Sequence, residues 1–431
     1  MSSGQYSASY RNYVLAILTV GYLLNFVDRQ VMTILLEPIK AEFGATDTQM
    51  GFLSGFAFAL FYATIAIPVA RIADAWSRSQ VLAISMGLWS FVTALCGTAG
   101  SFWQLALLRV GVGVGEAGGT PPSQALLADY FPPEKRSLAL GIFSTAPNIG
   151  ILVGLFGGAI IAELYGWRTV FFVFGIPGIF LALLLRLTVK EPIRSNPQER
   201  PQSLLANIRT LFAIPSFPFI ALAVGFTAIS NYGFGVWSPS FLIRVHNLSL
   251  IDAGLYLGLI GAFGGGLGTV LGGYLCDRLT AKDPAWQLRL PVVGILLSLP
   301  LQIAFLLWPE SSTFTLGEKV IPTTMVFLAV SSLFAGFWIA PTYAAVQNVV
   351  PANYRTQAAA LLLLSFNLLG MGLGPMLVGA LSDSLSMLGA DAIRYALLSS
   401  LITVVVGAAI YWGGTHRYVN DLAALTPTPG R

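Results

Sequence analysis

With 55% apolar and only 10% charged residues over 431 positions, the chain lies far below the roughly 25% charged content of soluble domains, which excludes a soluble globular protein and defines a polytopic membrane protein. Its net charge of +4 does not denote nucleic-acid binding, because the basic residues fall in short loops between apolar runs, where they orient helices in a bilayer. Cys96 and Cys276 lie in or at the end of apolar runs, with no metal spacing and no disulfide framework, and so give no sign of redox chemistry.

Residues 1–11 are polar, and the first apolar run has no small-residue cleavage site, so the first helix is expected to be retained. Runs of the ~20 residues needed to cross ~30 Å of hydrocarbon lie near 12–35, 50–70, 81–99, 102–126, 138–162 and 168–188. A proline-rich, charged segment at 190–209 follows and reads as a cytoplasmic inter-domain loop. Further runs lie near 217–243, 253–275, 290–308, 322–349, 357–382 and 392–413. The expectation is an all-α membrane protein of twelve spans in two six-helix bundles, 1–189 and 210–431.

Basic residues set the orientation. With a cytoplasmic N-terminus, the opposite side holds only Lys40, Arg168, Arg244, Lys319 and Arg394, a bias that puts both termini inside. The halves also repeat. Pro132-Pro-Glu-Lys-Arg136-Ser-Leu-Ala139 matches Pro351-Ala-Asn-Tyr-Arg355-Thr-Gln-Ala358, and Pro122-Ser123 aligns with Pro341-Thr342, all at an offset of 219 residues. The loop Ala70 to Arg78 has its counterpart in Gly273-Tyr-Leu-Cys-Asp277-Arg278. Paired bundles with a site near mid-membrane are the organisation of a transporter.

Four charges break the apolar pattern of the first half. Span one contains Asn25-Phe-Val-Asp28-Arg29, and span four contains Arg109-Val-Gly-Val-Gly-Val-Gly115-Glu116-Ala117. Seven residues is almost two helical turns, so Arg109 and Glu116 share a side, roughly 10 Å apart along the axis. The four sum to zero, as a low-dielectric site requires. A buried carboxylate whose guanidinium partner comes and goes loads and releases a proton, which makes Glu116 the first candidate for coupling and Asp28 the second. Arg29 and Arg109 can pair the acids, or be freed to hold an anionic headgroup in a bidentate fork. The plain structural alternative is an ion-pair network tying span one to span four.

The middle portions of spans seven, eight, ten and eleven carry no charge. They offer Asn231, Tyr232, Trp237, Phe337, Trp338, Tyr343 and Asn367 instead, which together with Asn148 of span five are candidate cavity-lining residues. A cavity charged on one bundle and aromatic on the other suits an amphipathic solute. Trp308, Tyr411 and Trp412 lie near span ends and read as interfacial anchors. The glycines of span four and those from Gly261 to Gly273 fall inside helices, without the strand-turn-helix context of a nucleotide loop.

These features resemble the major facilitator superfamily over the whole chain. Gly273 to Arg278 looks like its cytoplasmic loop motif, of which the first copy keeps Asp74 and Arg78 but has Ala70, Ala75 and Ser77 where the family usually has Gly, Arg and Gly. The resemblance implies a conformational latch at Asp74, Arg78, Asp277 and Arg278. Gly141 to Gly158, with Pro147, resembles the glycine-proline motif of the family's fifth helix, and span eleven holds Gly370-Met-Gly372-Leu-Gly374-Pro375. Asn25 to Arg29, read with Arg109 to Ala117 and Phe131-Pro132-(x)3-Arg136-Ser137, looks like the spinster subfamily. That resemblance implies proton-coupled movement of lysophospholipid- or sphingolipid-like substrates. The organic anion:cation symporters carry similar motifs, and small carboxylates are the alternative cargo.

No enzyme is expected: His246 and His416 are the only histidines, and no nucleophile set or metal cluster accompanies them. Neither a metal nor a cofactor is implied. The expected partners are a lipid-like small molecule, protons and the bilayer, for a monomer in a bacterial cytoplasmic membrane.

Overall fold

The structure, a computed structural model, describes residues 6–192, 204–351 and 354–425. Among these, eleven helices are long and apolar enough to cross a membrane, running from Ala8–Ile34 to Ser386–Leu425. The expected fourth span is a broken helix, Phe102–Glu116 followed by Thr120–Tyr130, and neither piece reaches crossing length alone. Pro121 and Pro122 open the second piece, where their missing N–H groups and fixed φ suit a first turn. Twelve crossings are reached when the two pieces are taken as one.

Local chemistry sets several helix starts. Ser7, Ser77 and Ser101 each accept a hydrogen bond from the backbone N–H three residues on, satisfying an orphan donor of the first turn. Thr46 and Gln49 form a reciprocal capping box before Asp47–Ala73.

The chain divides into two compact units, Met1–Gln198 with Leu248–Gly258, and Glu199–Asn247 with Leu259–Arg431. Within unit 1 the first turns of span eight pack closely: a Cβ on Gly254 would come within 2.6 Å of the Leu155 carbonyl, and one on Gly258 within 3.0 Å of Leu152. Of the expected loop at 190–209, residues 193–203 lie outside the described residues, and Leu204–Phe212 is helical.

Each unit carries the same irregularities in the same order. Wide π turns interrupt spans two and five at Phe52–Phe56 and Val153–Gly157, and spans eight and eleven at Ile260–Gly264 and Phe366–Leu373. Span four breaks at 117–119, and span ten has a tight 3-10 turn at Gly336–Trp338, displaced by the 219 residues seen in the sequence repeat. The pieces that follow, Thr120–Tyr130 and Ile339–Val349, keep the same displacement. Glu116 therefore corresponds to Ala335.

A β-hairpin, Thr313–Leu316 with Lys319–Pro322, joins spans nine and ten, turning at Gly317, whose φ of 64° is the left-handed value a two-residue hairpin loop needs. Tyr411 is fully buried and hydrogen-bonds Thr342 Oγ1 through its hydroxyl at 2.8 Å, so it packs the interior of unit 2 instead of anchoring an interface.

Candidate functional site

In unit 1, three helices bring the four charges together. Arg29 of span one donates through Nε to Glu116 Oε2 of span four at 2.8 Å, and Arg109 of span four reaches Asp28 Oδ1 of span one at 3.3 Å. The pairing runs crosswise, each helix giving one acid and one base. Thr93 of span three donates its hydroxyl to Asp28 Oδ2 at 3.0 Å. Asp28, Arg109 and Glu116 are each at most 3% exposed. The Arg29 side chain keeps 17% exposure, making it the most accessible member of the set.

Aromatic rings complete the seat of Arg29. Its guanidinium lies 5.4, 5.1 and 4.9 Å from the ring centroids of Phe26, Phe58 and Tyr62, and Arg109 lies 5.7 Å from Phe58. Cation–π attraction of this kind favours a planar guanidinium over an ammonium. Phe58 and Tyr62 are one turn apart on span two, a spacing legible in the sequence but without a signal that singles it out. Thr93 gave none either.

The glycines of span four make this proximity possible. A Cβ at Gly113 would meet the Phe58 carbonyl at 2.7 Å. Gly111, Gly115 and Gly118 step along span three against Val92, Trp89 and Ser85, so two antiparallel helices approach to backbone contact. The step ends at the break, where Glu116 closes one half-helix and Gly119 N–H bonds the Glu116 carbonyl at 2.9 Å.

Several buried polar atoms at the site have no hydrogen-bond partner: Glu116 Oε1, Arg109 Nε and both ends of the Asn25 amide. Leaving such a group unpaired costs about 1–3 kcal/mol. Asn25 lines a cavity with Tyr22, Trp89, Thr120 and Ser123 beside the break. The unpaired Glu116 oxygen and this amide can take a proton, a water or a polar ligand group.

The expected latch residues are placed differently from one another. Arg78 pairs with Asp129 at 2.8 Å. Beside it, Glu191 caps the start of span three, accepting from the Ser77 hydroxyl at 2.8 Å, Arg78 N–H at 3.0 Å and Ser79 N–H at 2.8 Å. Burial pushes the Glu191 carboxyl up, but the Ser79 N–H, the Ser77 and Ser79 hydroxyls and the Arg78 N–H outweigh it and hold the group below its usual range. The side chain of Asp74 lies outside the described residues. Asp277 and Arg278 are exposed, and Arg278 reaches Tyr274 one turn back at 3.3 Å.

Of the candidate lining residues, Asn231 and Trp338 border a cavity within unit 2. Tyr232 packs on Phe366, with centroids 5.1 Å apart. Trp237 is fully buried, its indole N–H bonding the Pro375 carbonyl at 2.8 Å. Phe337 packs with Cys276 and Leu290. Asn367 is buried, while Asn148 and Tyr343 are half-buried.

Membrane-crossing helices repeated in two halves, with an internal charge cluster, define a polytopic transporter architecture. Residues 18–361 match the Major Facilitator Superfamily model, and the chain belongs to that superfamily. It is 36% identical to an MFS-type efflux pump of Mycolicibacterium smegmatis over 93% of this chain and 91% of that protein. A bacterial homologue of the human lysosomal transporter spinster, crystallised inward-facing and occupied, superposes with a TM-score of 0.86 at 30% identity, covering 98% of this chain and 100% of that one. A probable L-galactonate transporter of Escherichia coli is 25% identical over 93% of this chain and 88% of its own length. The protein is thus a spinster-like, multi-pass membrane transporter and not an enzyme.

Proposed function

We propose that the protein is a proton-coupled secondary transporter that moves an amphipathic lysophospholipid- or sphingolipid-like substrate by alternating access. It works as a monomer in a bacterial cytoplasmic membrane, with both termini cytoplasmic. The observation that carries the coupling is the pair Arg29–Glu116, a nearly inaccessible acid held by a base that keeps some access. When an anionic headgroup takes the Arg29 fork, Glu116 loses its cation. In a desolvated setting an unpaired carboxylate is costly, so it takes up a proton. Release of the headgroup returns Arg29 and expels the proton. Asp28 is held by both Arg109 and Thr93, which suits it to keep Arg109 in place while Glu116 exchanges.

The lipid reading comes from the spinster resemblance of Asn25 to Arg29 and Arg109 to Ala117, with which the likeness to a bacterial spinster homologue agrees. A second reading, symport of small organic anions, is favoured by the likeness to a probable L-galactonate transporter, since Arg29 and Arg109 suit carboxylates as well as phosphates. Proteoliposomes with an imposed pH gradient separate the two. The lipid reading expects lysophosphatidate to move and galactonate not to; the reverse result overturns it.

A further inference from the structure

Unit 2 holds a second polar cluster that the charge network does not use. Thr227 and Asn231 of span seven, Ser298 and Gln302 of span nine, and Ala335 and Trp338 of span ten border one cavity. Thr227 is 1% and Gln302 7% exposed, yet Thr227 Oγ1 and Gln302 Oε1 have no hydrogen-bond partner. That is unusual for a helical threonine. Thr19, Thr269, Thr280 and Thr415 each donate to the carbonyl four residues back, whereas Thr227 does not. The two residues, on different helices, border a cavity with room for one water-sized group.

The walls explain why the space exists. Span nine carries Pro291 and Pro300 inside the helix, each removing an N–H and pressing on the carbonyl four residues back, and span ten tightens into its 3-10 turn at Gly336–Trp338. By the 219-residue repeat this turn corresponds to the break beside Glu116, and Ala335 stands where the first half has the carboxylate. The first half thus sets ions beside its break, and the second sets neutral donors and acceptors there.

We propose that this cavity is a binding pocket for a single hydroxyl, which donates to Gln302 Oε1 and accepts from Thr227 Oγ1–H. Its residues are all uncharged, so an ion would enter without a counter-charge, whereas a hydroxyl satisfies both orphan atoms. The hydroxyl comes from water when no substrate is bound, and from the transported molecule when one is. The second source rests on the lipid-transport reading; the chemistry of the pocket does not.

The test uses the purified full chain with Thr227→Val, which keeps shape and removes the hydroxyl, Thr227→Ser, which keeps the hydroxyl, and Gln302→Met. The pocket is supported when Thr227→Val and Gln302→Met lower the melting temperature and Thr227→Ser does not. Melting of the Val and Met variants at or above wild type marks a dry cavity and overturns the proposal. Thermal stabilisation by 1-palmitoyl lysophosphatidate and by its 2-deoxy analogue then identifies the source. A preference of about fivefold for the hydroxylated lipid, equal to one hydrogen bond, that disappears in Thr227→Val assigns the pocket to the substrate. Equal binding of both lipids, or binding of neither, assigns it to water; binding of neither also counts against the lipid reading while leaving the pocket standing.

Discussion

Arg29 and Glu116, 87 positions apart in the chain, are joined by a 2.8 Å ion pair, while Asp28, next to Arg29, and Arg109, about two turns before Glu116, are joined at 3.3 Å. The crossing makes the two charged segments interdependent: moving either helix along its axis disturbs both pairs.

Arg29 is expected to resist replacement by lysine. Three rings surround its guanidinium, and an ammonium has neither the flat face nor the fork. Arg29→Lys should fold and reach the membrane but lose at least about tenfold in substrate uptake, as expected where a bidentate contact is lost. Uptake at the wild-type rate would show that charge alone suffices.

Gly113 is expected to be a packing-critical position. A methyl there meets the Phe58 carbonyl at 2.7 Å, whereas nothing lies within 4 Å of one at Gly141. Gly113→Ala should destabilise by about 1–3 kcal/mol, read as a lower melting temperature in detergent, with Gly141→Ala as the neutral control. Equal melting of the two variants would contradict the close approach.

Glu191 gives a pH-dependent signature. Its carboxyl is held below the usual carboxylate range, so the stability it contributes is present above the unfolded value and is lost as pH falls through the folded one. Wild type should therefore melt above Glu191→Gln at pH 7, with the gap closing below about pH 4. A gap that persists unchanged at low pH would show that the cap acts without its charge.

Trp237 is expected to contribute through its indole N–H. Trp237→Phe removes the bond to the Pro375 carbonyl inside unit 2 and should cost about 1 kcal/mol. An unchanged melting temperature would mean that the ring alone holds this contact.

Much of this was legible before any coordinates. Long apolar runs mark spans because a bilayer admits little else, and charges inside them mark a site because burying an ion is costly. The repeat at 219 residues paired spans four and ten, but both read as continuous runs, so the break in one and the tight turn in the other were not legible. Which base pairs with which acid was not legible, since that depends on the register of one helix against another. Neither was the cluster around Thr227 and Gln302, because an isolated Thr, Ser or Gln in an apolar helix resembles one that bonds its own backbone, as Ser298 does to Ile295. Tyr411 misled for a similar reason: nearness to a span end fixes depth in the membrane and not which side of the helix faces lipid.

The central claim is that Glu116 carries the proton, and Glu116→Gln tests it most directly. In proteoliposomes with an imposed pH gradient, the wild type should accumulate lysophosphatidate against its gradient. Glu116→Gln should retain exchange of labelled for unlabelled lipid but lose accumulation. Accumulation by the glutamine variant at the wild-type level would contradict the account.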